Sequence, residues 1–423
     1  MKINDALSTL EDSATLRINQ RVKHDRAQGE TVFHFGFGQA AFPVPHALVD
    51  HLRQHAPVKD YLPGLGLPAL RAAVADFYQK RFGYDVNEGS IAIGPGSKEL
   101  IYQALLLLEG DLILPSASWV SYKPQAELAG KQVHIVPTTF ENDYKLTAQS
   151  LSSLCANLGT KQTILILNSP NNPTGTQYSE QEVIEICDAS RQHNVVIISD
   201  EIYALVNFEN DYHSFFTHYP EGTIVTGGLS KAFSAGGWRL GTLLAHPSQQ
   251  PFMQALSAVI SEISSCTSAP IQYAAIKAYE PSIAIDRYLQ LTTEIYRAAA
   301  NYMWKRFQAM NVPCPQPQGA FYLFPCYDAY RPEIANRHGI QTSSEFTELV
   351  YTHAKVAMLP GSDFSYPDES WCTRVAFTDF DGEPALQAAE SSAEAVDDAF
   401  IRAHCPRIVH GLDALEAFLT AYQ

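Results

Sequence analysis

The chain is poor in basic residues: 29 lysines and arginines stand against 45 aspartates and glutamates in 423 residues, a formal charge of −16. That deficit argues against a protein that grips a nucleic-acid backbone, which needs a surplus of cations. Cysteine is scarce as well. The seven are odd in number, scattered from Cys155 to Cys405 and free of any C-x-x-C pair, so neither a disulfide frame nor a zinc site is expected and reduced thiols in the cytoplasm are. No apolar run approaches the roughly 20 residues that span a bilayer. The opening MKINDALSTLEDSATLRINQR has no apolar leader core, which predicts an unexported protein with no membrane partner. Repeats, low-complexity tracts and blocks of like charge are missing too. What remains, 46% hydrophobic residues, is enough for a large packed core.

Between about residues 90 and 246, short apolar runs alternate with helical patterns. SIAI (90–93), DLILP (111–115), QVHIV (132–136), TILILN (163–168), VVIIS (195–199), TIVTG (223–227) and GTLLA (241–245) read as strands. Continuous Val/Ile/Leu runs mark strands buried on both faces, so the fold class is α/β with a mostly parallel central sheet covered by helices. A long helical pattern fills 281–310 and stops before Pro313. The expected division is a large domain over 46–290 and a smaller α+β domain built from 1–45 and 291–423.

In such sheets ligands sit beyond the carboxyl ends of the strands. After SIAI comes GPGSKEL, a glycine turn at Gly96 feeding a helix that starts at Ser97, which suits a phosphate and equally suits a plain turn. After TILILN comes SPNNPTG, a turn that can also aim an asparagine amide at a ligand. Asp200 closes VVIIS; it is either a helix cap or a buried carboxylate needing a cation, with Tyr203 three residues on. After TIVTG stands Lys231 in GGLSKAFSAGGWRLG, among small uncharged residues that would lower an amine's pKa and make it a nucleophile. A cofactor with a phosphate, a cationic ring nitrogen and an aldehyde uses all four, and pyridoxal 5'-phosphate is that cofactor.

SPNNPTG, SDEIY and SKAFSAGGWRLG, in that order, resemble the signature set of the class I/II aminotransferases, the fold-type I pyridoxal-phosphate enzymes. FGFGQAAFPVP, YLPGLGLPALR and TRVAF are similar to further family segments, so the resemblance covers most of the chain. It implies that Lys231 carries the cofactor and then acts as the catalytic base. Asp200 would keep the ring nitrogen protonated, and Asn172 and Tyr203 would hydrogen-bond the ring's phenolic oxygen. Arg239 would clamp the phosphate with Gly96, Ser97, Lys98 and Ser230, while Trp119 would stack on the ring. Arg374, helped by the backbone of Gly38, would bind the substrate's carboxylate. Tyr61 matches a residue that reaches the neighbouring subunit's phosphate, which implies a homodimer. Two departures stand out: Gly228 where many members have serine, and Ala40-Ala41 where Pro-Asp is common.

The expected activity is transfer of an amino group from an L-amino acid, aspartate or an aromatic one, to a 2-oxo acid such as 2-oxoglutarate by a ping-pong route. A lyase or synthase on the same scaffold is the first alternative, separated by product analysis. A silent ligand-binding protein is the second, separated by cofactor binding without turnover. Lys98, Arg71 and Arg297 are candidate cations for a substrate's second carboxylate.

Overall fold

The computed structural model describes residues 12–159, 161–391 and 395–422; residues 1–11 of the expected small domain lie outside them. Strand β1 (Phe33–His34) precedes a seven-stranded sheet made of β2 (Ile91–Gly94), β3 (Leu112–Pro115), β4 (Val133–Val136), β5 (Thr163–Asn168), β6 (Val195–Asp200), β7 (Thr223–Gly228) and β8 (Gly241–Ala245). The order is β2-β8-β7-β6-β5-β3-β4. Each strand falls within one residue of its sequence-based limits. All pairings are parallel except those of β8, which runs antiparallel to β2 and β7.

The apolar runs follow from burial on both faces. In β5, Ile164 and Ile166 pack with Leu100 and Ile101 of the helix Ser97–Leu107 and with Met253 and Leu256 of the helix Gln250–Ile263. Leu165 and Leu167 point the other way, to Leu151 of the helix Ala148–Leu158 and to Val183 and Ile186 of the helix Glu180–Gln192. Both of these last helices begin in reciprocal capping boxes, Thr147 with Ser150 and Ser179 with Glu182.

The long helix runs from Ile283 to Ala309, capped by Ser282 Oγ on the Ile285 amide. Ile285, Leu289, Thr292, Tyr296, Ala299, Met303 and Phe307, spaced by three or four, form its buried stripe. Beyond it lie β9 (Tyr322–Leu323), β10 (Val356–Ala357), β11 (Leu359–Pro360) and β12 (Thr373–Ala376). They give an antiparallel sheet β11-β12-β9 and a parallel pairing of β10 with β1. The N-terminal segment is therefore fastened to the last third of the chain. Asp379 reinforces this by accepting the His34 amide at 2.7 Å and pairing with Arg26 and Arg407. The chain then crosses from β1 toward the carboxyl ends of β5, β6 and β7.

Candidate active site

Asp200 ends β6 and is 3% exposed. Burial pushes its pKa up to about 6, against the pull of hydrogen bonds from Tyr122, Ile202 and Thr226 and the charge of Lys231. The Tyr122 hydroxyl donates to Oδ2 at 2.7 Å, and the Ile202 amide and Thr226 hydroxyl each donate to Oδ1 at 3.3 Å. A buried carboxylate so supplied with donors is ready to hold a cation. Asn168 ties this strand end to the next turn: its amide donates to the Asp200 carbonyl at 2.7 Å, and its Oδ1 accepts the Asn172 N–H at 2.8 Å.

Lys231 follows β7. Its Nζ donates to the Gly38 carbonyl at 2.8 Å and lies 5.6 Å from the Tyr203 ring centroid and 5.3 Å from that of Phe321. The Tyr203 and Tyr322 hydroxyls are hydrogen-bonded at 2.8 Å, and Tyr322 also reaches the Gly38 carbonyl at 3.5 Å. Only glycine fits at 38, because a Cβ there would sit 1.9 Å from the Tyr322 hydroxyl oxygen.

Arg374 on β12 is 1% exposed. It donates to the Gly36 carbonyl at 2.6 Å and to Asn172 Oδ1 at 3.2 Å, which leaves the NH₂ end of Asn172 for a ligand. Its guanidinium lies 4.7 Å from the Tyr322 ring centroid and 5.0 Å from that of Phe364. Nε is buried without a partner. A buried guanidinium with an unsatisfied donor fits a planar anion such as a substrate carboxylate.

A second anion site is built at the helix starting with Ser97. Gly96 adopts φ +100°, and a Cβ there would lie 2.2 Å from Arg239 Nη2. Arg239 is anchored to the carbonyls of Pro95 at 3.1 Å and Gly236 at 2.9 Å. Lys98 Nζ lies 5.0 Å over the ring of Trp119, and partial burial, then the charges of Arg239 and Lys231, lower its pKa. Cations gathered at a helix N-terminus so that they repel one another are an anion cradle. Half-buried Ser230 precedes Lys231. Gly228 has φ +149°, and a Cβ would meet the Leu240 carbonyl oxygen at 2.6 Å, so the close approach of β8 leaves no room for a serine side chain there. Ala41 donates its amide to Tyr296 at 3.0 Å.

Residues 30–390 match the family described as aminotransferase class I and II. The chain belongs to that family. This aminotransferase is 32% identical to an aspartate aminotransferase of Geobacillus stearothermophilus over 94% of this chain and 98% of that one. It is 31% identical to an aromatic-amino-acid aminotransferase of Thermococcus litoralis over 88% and 92%. An aspartate aminotransferase of Thermotoga maritima superposes with a TM-score of 0.81 at 26% identity, over 99% of this chain and 100% of that one. One of Thermus thermophilus, solved with maleate, superposes at 0.84 over 99% of both chains and, at 22% identity, shows the shared fold. The aminotransferase is thus a pyridoxal-phosphate-dependent enzyme that moves an amino group between an amino acid and a 2-oxo acid, by the ping-pong route general to its family.

The residues fit that cofactor on the structure's own terms. The cradle at Gly96, Ser97 and Arg239 suits its phosphate, the buried Asp200 its ring nitrogen and Lys231 its aldehyde. When bound, the cofactor supplies an electron sink for the amino acid's Cα.

Tyr61 stands apart from the other expected residues: it is 87% exposed, and no hydrogen bond or ring contact joins it to another described residue. Tyr122, Tyr322, Thr226 and Asn168 were not among the residues expected from sequence. Tyr122 had a signal, three residues after Trp119 in SASWVSY, where it opens the helix Tyr122–Leu128 and meets the Trp119 ring edge-on at 5.2 Å. Tyr322 had only the alternation of GAFYLF. Among the described residues no helix is long and apolar enough to cross a membrane.

Proposed function

We propose that this aminotransferase takes its amino group from an acidic amino acid such as aspartate and gives it to 2-oxoglutarate, with Lys98 receiving the substrate's second carboxylate. The observation that carries this is the state of the three candidate cations. Arg71 is committed to the Ile91 carbonyl and Glu88, and Arg297 is exposed on the long helix, lining a cavity with Arg81, Asn207 and Glu294. Lys98 stands beside Trp119 with no carboxylate partner among the described residues and with its charge opposed by Arg239 and Lys231. A distal carboxylate would relieve that repulsion. The aspartate aminotransferases among the relatives support the same reading.

In this reading Lys231 carries the cofactor and moves the proton, and Asp200 holds the ring nitrogen. Asn172 and Tyr203 hold the phenolic oxygen, Trp119 covers the ring, and Arg239, Gly96, Ser97 and Ser230 hold the phosphate. Arg374 and the Gly38 backbone take the α-carboxylate. Exposure of Tyr61 supports its reaching a second copy of the chain in a homodimer. Seven free thiols support a reducing, cytoplasmic setting. The pairing of β1 with β10 supports a small domain of 1–45 with 291–423 beside a large one of 46–290.

The test is the visible spectrum of the purified enzyme with pyridoxal phosphate, as each L-amino acid is added without oxo acid. Aspartate is expected to shift it to the amine form at the lowest concentration, and Lys98→Ala is expected to raise the KM for aspartate at least tenfold relative to that for alanine, the scale of one charge-assisted hydrogen bond. Equal losses with both donors would assign Lys98 to the phosphate. Preference for phenylalanine would favour an aromatic donor, the reading suggested by Tyr322 and Phe364 around Arg374 and by the Thermococcus litoralis relative.

A further inference from the structure

The β9–β12 ladder pairs Tyr322 with Ala376 and Leu323 with Val375, and the same register continues past the named strands to a bridge between Cys326 and Cys372. Its flanking bonds run from the Thr373 amide to the Pro325 carbonyl and from the Tyr327 amide to the Trp371 carbonyl, both at 2.9 Å. The cysteines are therefore a non-hydrogen-bonded antiparallel pair, the position where opposed Cα atoms come closest, about 4.5 Å, and both side chains leave the same face. That spacing is inside the window of about 4.4–6.8 Å that a disulfide spans. The nearness of Cys326, together with burial, drives the Cys372 thiol well up. Tyr144 Oη lies 3.7 Å from Cys372 Sγ, and Cys326 Sγ lies 3.3 Å from Asp328 Oδ2. Cys326 is half-exposed and Cys372 is buried.

We propose that Cys326 and Cys372 are a redox-active pair that closes reversibly to a disulfide, stapling the strand that bears Arg374 to the strand that bears Tyr322. The alternation of side chains puts Cys372 and Arg374 on one face of β12 and its extension, and Tyr322 and Cys326 on the same face of the facing strand. The staple therefore lies two residues from the carboxylate-binding arginine. The oxidant is a small peroxide. The thiolate of the accessible Cys326 attacks one peroxide oxygen; the S–O bond forms, the O–O bond breaks and one water leaves. The sulfur of Cys372 then attacks the sulfenic sulfur of Cys326; the S–S bond forms, the S–O bond breaks and a second water leaves. Two thiols give up two electrons and two protons, and the peroxide accepts them.

The experiment treats the holoenzyme with hydrogen peroxide, blocks remaining thiols with N-ethylmaleimide, and maps peptides without reduction. The expected result is a linked pair of peptides carrying Cys326 and Cys372, two hydrogens lighter than the free pair. Accessible thiols in denaturant should fall by two from the seven of the sequence. Closing a span of 46 residues (372 − 326) should raise the melting temperature by about 4 °C, reversed by dithiothreitol. Cys326→Ser and Cys372→Ser should each lose both the link and the rise. Cys326 oxidised while Cys372 still takes up N-ethylmaleimide would overturn the proposal, and so would a link that leaves the melting temperature unchanged.

Discussion

Tyr122→Phe removes one oxygen and isolates what that oxygen does. The ring stays edge-on to Trp119, so packing is retained, while Asp200 Oδ2 loses the donor that the structure places 2.7 Å away. A hydrogen bond to a charged group contributes about 1.5–3 kcal/mol. Losing it raises the Asp200 pKa from about 6 by about one to two further steps, since each step corresponds to 1.36 kcal/mol. At pH 7.5 much of the carboxyl would then be protonated and unable to hold a cationic ring nitrogen. Apo-enzyme titrated with pyridoxal phosphate and followed by absorbance should show affinity reduced about 10–100-fold at pH 7.5. At pH 9 the carboxyl of the variant is ionised again, and the gap to wild type should narrow to a fewfold. A loss under threefold at pH 7.5, or a gap of constant size to pH 9, would show that Tyr122 does not set the charge of Asp200.

Three further outcomes follow from the same geometry. Arg374→Ala removes both arms of the proposed carboxylate clamp and should raise the KM for every amino donor about 10–100-fold with a smaller effect on kcat, measured by steady-state kinetics. Gly228→Ser should destabilise the fold by about 1–3 kcal/mol through the clash with the Leu240 carbonyl, read by urea unfolding, instead of improving phosphate binding. Glu201 is buried among the hydroxyls of Tyr84, Ser199 and Ser214, and burial, opposed by those bonds, brings its pKa up to about 7. Because the folded value is raised above the unfolded one, its contribution is fully present below about pH 4.5 and is lost as pH rises through 7. Wild-type apo-enzyme should therefore lose about 1 kcal/mol relative to Glu201→Gln between pH 6 and 8.5 in urea unfolding; parallel curves would refute the placement of that charge.

The strands were legible because burial on both faces writes itself as uninterrupted Val, Ile and Leu. The reversal of β8 was not: GTLLA reads alike in either direction, and the segment 229–240 that turns it around holds its glycines for the site as well as for the turn. Asp200 sits where a polar residue interrupts an apolar run, and position alone draws the eye to it; Asn168 ends β5 in the same way but is overshadowed by the asparagines of the turn that follows. Arg374 needed its neighbours from the distant segments at 36 and 172 before its role had a physical reason. Tyr122 and Tyr322 escaped notice because a tyrosine on a buried face looks like core until its hydroxyl is seen to meet Asp200 or Tyr203. Gly228 stands out in the sequence only as a departure from the family pattern, and in the fold it is a packing requirement of β8.

The Gly38 carbonyl can hold the Lys231 amine only while that amine is free. The segment after β1, itself paired with β10, is thereby tied through a main-chain oxygen to the residue that follows β7, so a change of side chain at 231 reaches the N-terminal strand as well as the central sheet.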